Sequence, residues 1–337
     1  MMIGLFIAPF AIVVALFAIG YIGFVYLFTQ SQNRKLAALA ASENNLIAGI
    51  SASENRLIAG IAASENRQMA ALNQILFELR GRARPNGNAY SLQGFFKSPI
   101  DICRGDTAYN GILPNARLIV NYGGFTALME NIQNVGLSVR WTNPSVTNFP
   151  YIICNDKKFR LQQLFINWGN GKEDGSLHKI GGKGFAGELN FLHRNVLFGD
   201  MSDALRSPDG ALFIAVFLIE AKQDNENLTP LIDALYHVKY AGTEFLLPQF
   251  DASQLLPIRD KRFWLYSGSE IVAPYRETVN WLVCYSKIPI SSKQLARLRE
   301  LRKGPRGDVS NAPLMYPRPL HLLNNRTIQS SFVWPDE

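Results

Sequence analysis

The sequence predicts an α+β protein, mainly β, whose folded head is preceded by a transmembrane helix and a long helical stalk. Three features carry this prediction. An uncharged apolar run occupies residues 3–28, an 11-residue repeat follows it, and from about residue 89 short β-patterned segments alternate with turn residues. With 337 residues, 47% of them hydrophobic, the chain has ample apolar surface for one large core beyond the anchor.

Ile3 to Phe28 runs 26 positions without a charge, enough for a helix to span roughly 30 Å of hydrocarbon. Tyr21 and Tyr26 suit its interfacial end. A cleaved leader would open on a basic residue and carry a shorter apolar run, whereas Met1-Met2 brings no positive charge. Residues 1–29 are therefore expected to be an uncleaved single-pass anchor. Arg34 and Lys35 just after the span, with nothing basic before it, favour a cytoplasmic head. A bias of two residues is small for a folded domain.

Ser42-Glu43-Asn44, Ser53-Glu54-Asn55 and Ser64-Glu65-Asn66 recur every 11 residues. Apolar residues keep the same period in two series: Leu39, Ile50, Ile61 and Leu72, and Leu36, Ile47, Ile58 and Met69. Eleven residues over three turns is about 3.67 per turn, which favours a coiled coil with a gentle right-handed supercoil. Such a stripe needs a partner, and its polar face has few basic residues to hold it on a membrane instead. Residues 30–80 are thus expected to form a stalk of roughly 75 Å in a parallel homo-oligomer, trimer or tetramer before dimer. Gly49 and Gly60 weaken it locally. Residues 81–88, rich in Arg, Pro and Gly, form the hinge, 89–333 the head and 334–337 a tail.

Within the head, RLIVNY, LSVRWT, LQQLFINW, GELNFLH, ALFIAVFLIEA, KRFWLY and VNWLVCYSKI read as strands, and LTPLIDALYHV and SSKQLARLRELRK as helices. The stretch Phe159 to Asn195 organises the rest. LQQLFINW alternates with period two, a glycine-rich loop interrupts, and GELNFLHRN resumes the alternation, so two strands side by side make the floor of a site.

At these residues the chain resembles the α-carbonic anhydrases, whose equivalent strands carry His-x-His-Trp-Gly and, further on, Glu-Leu-His-x-x-His. The resemblance implies their large twisted, antiparallel-rich sheet with short peripheral helices, and it covers residues 88–332 in unbroken order. In that family the three histidines hold a zinc ion that lowers the pKa of bound water to about 7. Here Phe165 and Asn167 stand before Trp168-Gly169 where the His-x-His pair belongs, and Asn190 follows Glu188-Leu189 in the third place. Phenylalanine has no donor atom and a neutral amide is a poor zinc ligand, so the resemblance implies an inherited fold without a metal, a cofactor or hydration chemistry. The residues that orient the zinc hydroxide correspond to Ile271 and Leu177, and the proton shuttle to Leu137. Ser98–Ile102, Gln163, His178, Glu188, Tyr266 and Trp281 match the scaffold. With Leu192 and Phe213, the apolar replacements are expected to fill the old cleft. Membrane-anchored members of the family face outward or into a lumen, which implies an extracellular, lumenal or virion-surface head. In that case Asn227-Leu228-Thr229 and Asn325-Arg326-Thr327 are glycosylation sequons.

Net charge is +7, with seven basic and four acidic residues in 30–84, so the head is only mildly basic. No dense basic stripe suggests nucleic acid, whereas an acidic glycan or an anionic headgroup needs only a local patch. The candidate binding residues are Lys157, Lys158 and Arg160; Lys179 and Lys183; and Arg259, Lys261 and Arg262, with Arg140 and Glu270 as polar groups at the cleft. A further basic set, Arg297, Arg299, Arg302, Lys303 and Arg306, follows the last helix. Gly182-Lys183-Gly184-Phe185-Ala186-Gly187 satisfies GxGxxG but leads into a strand, so it is no dinucleotide fingerprint. Cys103, Cys154 and Cys284 are widely spaced. The family's usual disulfide is absent because Tyr275 occupies its second position; three small thiols fit better than a Cys103–Cys154 bridge, which stays open. Metal-free members of the family bind glycans or proteins, which implies a non-catalytic binding or adhesion module for a protein or sulfated glycan. The alternative is a structural subunit of a membrane, organelle or virion-envelope complex, and residual esterase activity is the least expected.

Overall fold

The computed structural model describes residues 94–334 apart from 142–144, 146, 155, 309–313 and 315–317 and, ahead of them, positions 20, 29, 30, 34, 35 and 42, all six helical. The chain divides into two compact units, Met1–Tyr90 and Ser91–Glu337. Apart from those six positions, the expected anchor, repeat and hinge lie outside the described residues. Among the described residues no helix is long and apolar enough to cross a membrane.

The second unit is built on strands β1 (Asp101–Ile102), β2 (Thr107–Tyr109), β3 (Leu118–Asn121), β4 (Phe125–Ile132), β5 (Gly136–Trp141), β6 (Tyr151–Cys154), β7 (Lys157–Trp168) and β8 (Lys179–Ile180). The remainder are β9 (Gly187–Asn195), β10 (Ala211–Ala221), β11 (Thr243–Phe250), β12 (Phe263–Gly268), β13 (Val279–Cys284), β14 (Ile288–Ser291) and β15 (Ile328–Ser330). Among the described residues they form one large mixed sheet, ordered β11-β4-β5-β7-β9-β10-β13-β12-β15-β2, with β14 beside β10 and β3 and β6 beside β7; β1 pairs with β8 alone. Most neighbours are antiparallel, but β10 runs parallel to β13 and β14.

Every segment read as a strand lies in this sheet. β10, ALFIAVFLIEA, is buried along its first eight residues, as expected of a central strand covered on both faces. The sequence reading passed over β4, β6 and β11. β11 is an edge strand interrupted by Pro248, a residue tolerated where one ladder side is open. The two helices are shorter than their periodic segments. Ser292–Arg299 opens on a capping box between Ser291 and Gln294, but the backbone beyond it turns to tertiary partners, Leu301 accepting from Leu314 and Arg302 donating to Lys239. The other spans Thr229–Ala234.

The sheet separates two apolar cores. The larger holds Leu164, Ile166, Leu189, Phe191, Ile214 and Val216 under the helices; the smaller holds Phe165, Leu192, Phe213, Ala215, Tyr266 and Trp281. This split follows from the period-two alternation of β7, β9 and β10.

Candidate functional site

Cross-strand register explains how three positions converge. Phe165 lies opposite Asn190 and Asn167 opposite Glu188, so Phe165, Asn167 and Asn190 share one face of the β7–β9 pair. These are the positions that the resemblance assigns to the zinc-binding histidines. Asn190 Nδ2 donates to Asn167 Oδ1 at 3.2 Å, and Asn190 Oδ1 is buried without a partner. The Phe165 ring meets Phe213 at 6.2 Å, and Phe213 stacks on Trp281 at 4.5 Å. Leu177, Leu192 and Ile271 belong to the same buried cluster, so this side of the site is apolar packing. One hydrocarbon ring and two amides bonded to each other do not fit a zinc ion, which takes imidazole, thiolate or carboxylate donors. Nor, among the described residues, do three or more His, Cys, Asp or Glu side chains gather elsewhere to hold a metal.

On this same face runs a buried polar chain. Glu188 accepts from the His178 backbone N–H and faces His178 Nδ1, both at 2.8 Å. His178 Nε2 meets the Tyr266 hydroxyl at 2.6 Å, and that hydroxyl donates to Ser98 Oγ at 2.9 Å. Both Glu188 oxygens are thus engaged by one histidine. Burial holds the Tyr266 hydroxyl far above the ordinary phenol range. Gly268 makes room for the chain, since a Cβ there would collide with Ser98 Oγ and come within 3.0 Å of Tyr266 and Trp281 atoms. Gly268→Ala should therefore destabilise the fold by about 1–3 kcal/mol, read as a lower urea midpoint at unchanged slope.

A cavity of about 440 Å³ opens at the C-terminal end of β7. Its walls include Val135, Asn167, Ser176, Leu177, Lys179 and Arg318. Of the three former ligand positions only Asn167 reaches it. Leu137, in β5, pairs with Ile166 on the face opposite Phe165 and is buried in the larger core, and both residues also line this cavity. Ser138, its neighbour, is the residue opposite Phe165.

The candidate binding residues fall in different settings. Arg140 makes a bidentate pair with Glu130, and Lys157 pairs with Asp209 at 2.9 Å. Lys158 lies over the rings of Tyr151 and Phe149, and Arg160 over Phe149. Lys179 lines the cavity. Lys183 faces Glu173 at 3.8 Å in an exposed pair. Arg259 and Lys261 are exposed, and Arg262 grips Asp260 through two bonds of 2.8 Å while lying over Tyr285. Glu270 is not at a rim: it is buried, accepts from the Arg276 backbone N–H and faces its guanidinium at 3.7 Å, and burial raises its pKa. The sequence reading missed Arg318, which donates to the carbonyls of Ile271 and Ser98 and lies over Tyr275; it sits in an irregular segment where no periodicity marks it. All three cysteines are free. Cys103 and Cys154 are half-buried rather than buried, and desolvation pushes Cys154 up to about 11 and Cys284 up to about 12.

The eukaryotic-type carbonic anhydrase family model matches residues 85–332. Carbonic anhydrase 1 of Oryctolagus cuniculus is 34% identical over 239 residues, which is 70% of this chain and 99% of the relative. Carbonic anhydrase 1 of Mus musculus is 32% identical over 239 residues, 70% of this chain and 89% of the relative. Similarity at this level over nearly the whole of a relative, together with a large mixed sheet edged by short helices, leaves one conclusion: the chain belongs to the eukaryotic-type carbonic anhydrase family.

Proposed function

We propose that this chain is a non-catalytic member of its family, anchored by its N-terminal helix and displayed on a self-associating stalk, that binds a protein or acidic glycan. The observation that carries the reading is the Asn190–Asn167 hydrogen bond beside the buried Phe165 ring, which puts mutual bonding and packing where a metal would need donors. Leu177 and Ile271, buried against the same cluster, supply no polar group to orient a nucleophile. An oligomeric head multiplies weak contacts through effective concentration, which suits a mildly basic surface.

Zinc analysis and CO2 hydration assays on the purified full chain test the enzymatic half. The expected result is no stoichiometric zinc and no rate above the uncatalysed reaction; a chain carrying about one zinc with appreciable turnover would overturn it. Binding to heparin, chondroitin sulfate and candidate partner proteins tests the other half, and indifference to all of them favours the structural-subunit alternative.

Membrane sidedness has its own readout. Asn227 and Asn325 are both exposed, so a head on the lumenal side should gain glycans that a glycosidase removes as a mobility shift. A head that carries none while remaining protease-sensitive from the cytosol would place it on the other side.

A further inference from the structure

Resting on the binding reading above, we propose that the surface around Tyr285 and Trp334 is a docking site for an acidic sugar chain, with Lys287, Lys183 and Arg262 receiving its sulfate or carboxylate groups. Lys287 lies in the turn between β13 and β14 and was not among the residues that sequence clustering singled out. Its Nζ stands 4.3 Å from the Tyr285 ring centre and 5.7 Å from that of Phe185. The Arg262 guanidinium lies 4.4 Å from the same Tyr285 ring.

Lys287 has a demanding setting for a cation. It is half-buried, and burial first, then Arg262 and Lys183, disfavour its charge; of the carboxylates only Asp260 supports it. Asp260 is already committed, accepting from Arg262 through both oxygens and from Ser286. No carboxylate forms an ion pair with Lys287 among the described residues. The Glu173 partner of Lys183 belongs to an exposed pair of the kind that contributes little and yields to a better anion. Two of the three cations thus have a carboxylate partner already, and Lys287 shares their field with no ion pair of its own among the described residues. An arriving oxyanion is the missing partner, and charge-assisted hydrogen bonds to it are among the stronger polar contacts available.

The aromatic surroundings narrow the ligand from any anion to a sugar. Tyr285 packs against Trp264 and Phe332 at 5.6 and 4.9 Å, and Trp334 packs on Trp264 at 5.3 Å. Tyr285 and Trp334 are both half-buried, and Tyr285 is the ring over which Arg262 and Lys287 lie. An apolar ring edge next to the Lys287 ammonium matches a pyranose, which offers a C–H face for stacking and an acidic substituent at its rim. Arg206, exposed beside the start of β13 where Thr278 bonds the Leu205 carbonyl, at the end of the strand away from Tyr285, provides an internal control.

The test uses the full chain in detergent, with immobilised heparin and chondroitin sulfate as probes. The wild type should bind with an affinity that falls steeply with salt. Lys287→Gln combined with Lys183→Gln should weaken binding about tenfold or more, while Arg206→Gln changes it less than about twofold. Trp334→Ala should lower affinity for the glycans yet leave competition by inorganic sulfate unchanged. Matching urea midpoints for all variants establish that the fold is intact. Wild-type binding that survives the double variant, or falls equally in Arg206→Gln, overturns the site but not the binding reading. A wild type that ignores both glycans removes the glycan branch of that reading itself.

Discussion

Acidifying the protein from pH 7 to about pH 4 should cost it about 3 kcal/mol of stability through one histidine. His193, on β9, is fully buried in the larger core's face of the sheet, where its Nδ1–H donates to the Leu212 carbonyl at 3.1 Å and its Nε2 accepts from the Tyr122 hydroxyl at 2.5 Å. Both nitrogens are satisfied in the neutral ring, and burial pushes the pKa down from 6.5 to about 4. Between those values the unfolded chain holds a proton that the folded chain lacks. Stability therefore falls as pH drops from about 6.5 to about 4 and the contribution levels off below. A shift of this size corresponds to about 3 kcal/mol at about 1.4 kcal/mol per pH unit. Urea unfolding at a series of pH values measures it. His193→Gln, though less stable at neutral pH, should show a flatter profile across that window. If the two profiles run parallel, His193 is not the group responsible.

The second large effect is a gain. Phe165→His, Asn167→His and Asn190→His together should convert a chain without stoichiometric zinc into one that holds about one ion. The register that sets Phe165 opposite Asn190, with Asn167 on the same face, already supplies the geometry. Zinc at about 100 times its dissociation constant should then stabilise the triple variant by about 2.7 kcal/mol and leave the wild type unmoved. CO2 hydration should stay poor even with the metal in place, because the buried side chains of Leu177 and Ile271 give a bound water nothing to orient it. Equal metal uptake by the wild type would show that some other donor set binds zinc. Brisk hydration by the triple variant would show that those two positions do not limit the chemistry.

Leu137 and Glu270 show how strand register and loop folding, rather than order along the chain, place a side chain. Leu137 is one residue from the position that faces Phe165, and a single step along a strand carries a side chain to the other face. Glu270 is polar in a loop, which looks like a rim group until the loop folds back and its own Arg276 covers it. Lys287 and Arg318 went unnoticed because neither belongs to a run of basic residues, and their importance comes from neighbours distant in sequence, Arg262 and Lys183 for the one and Ser98 for the other.

By itself, the sequence determined the identity of the side chains on β7 and β9, the alternation that sends them inward, and hence that no imidazole stands at positions 165, 167 or 190. Those are local properties, written in residue type and a period of two. The tertiary structure alone decided that Asn190 bonds Asn167, that His178 occupies both oxygens of Glu188, and that Arg262 and Lys287 lie over the Tyr285 ring with Lys183 near enough to disfavour the Lys287 charge. Each of these joins segments between 10 and 104 residues apart, by the difference of their numbers. Electrostatic and packing energies depend on distance through space, to which separation along the chain is no guide.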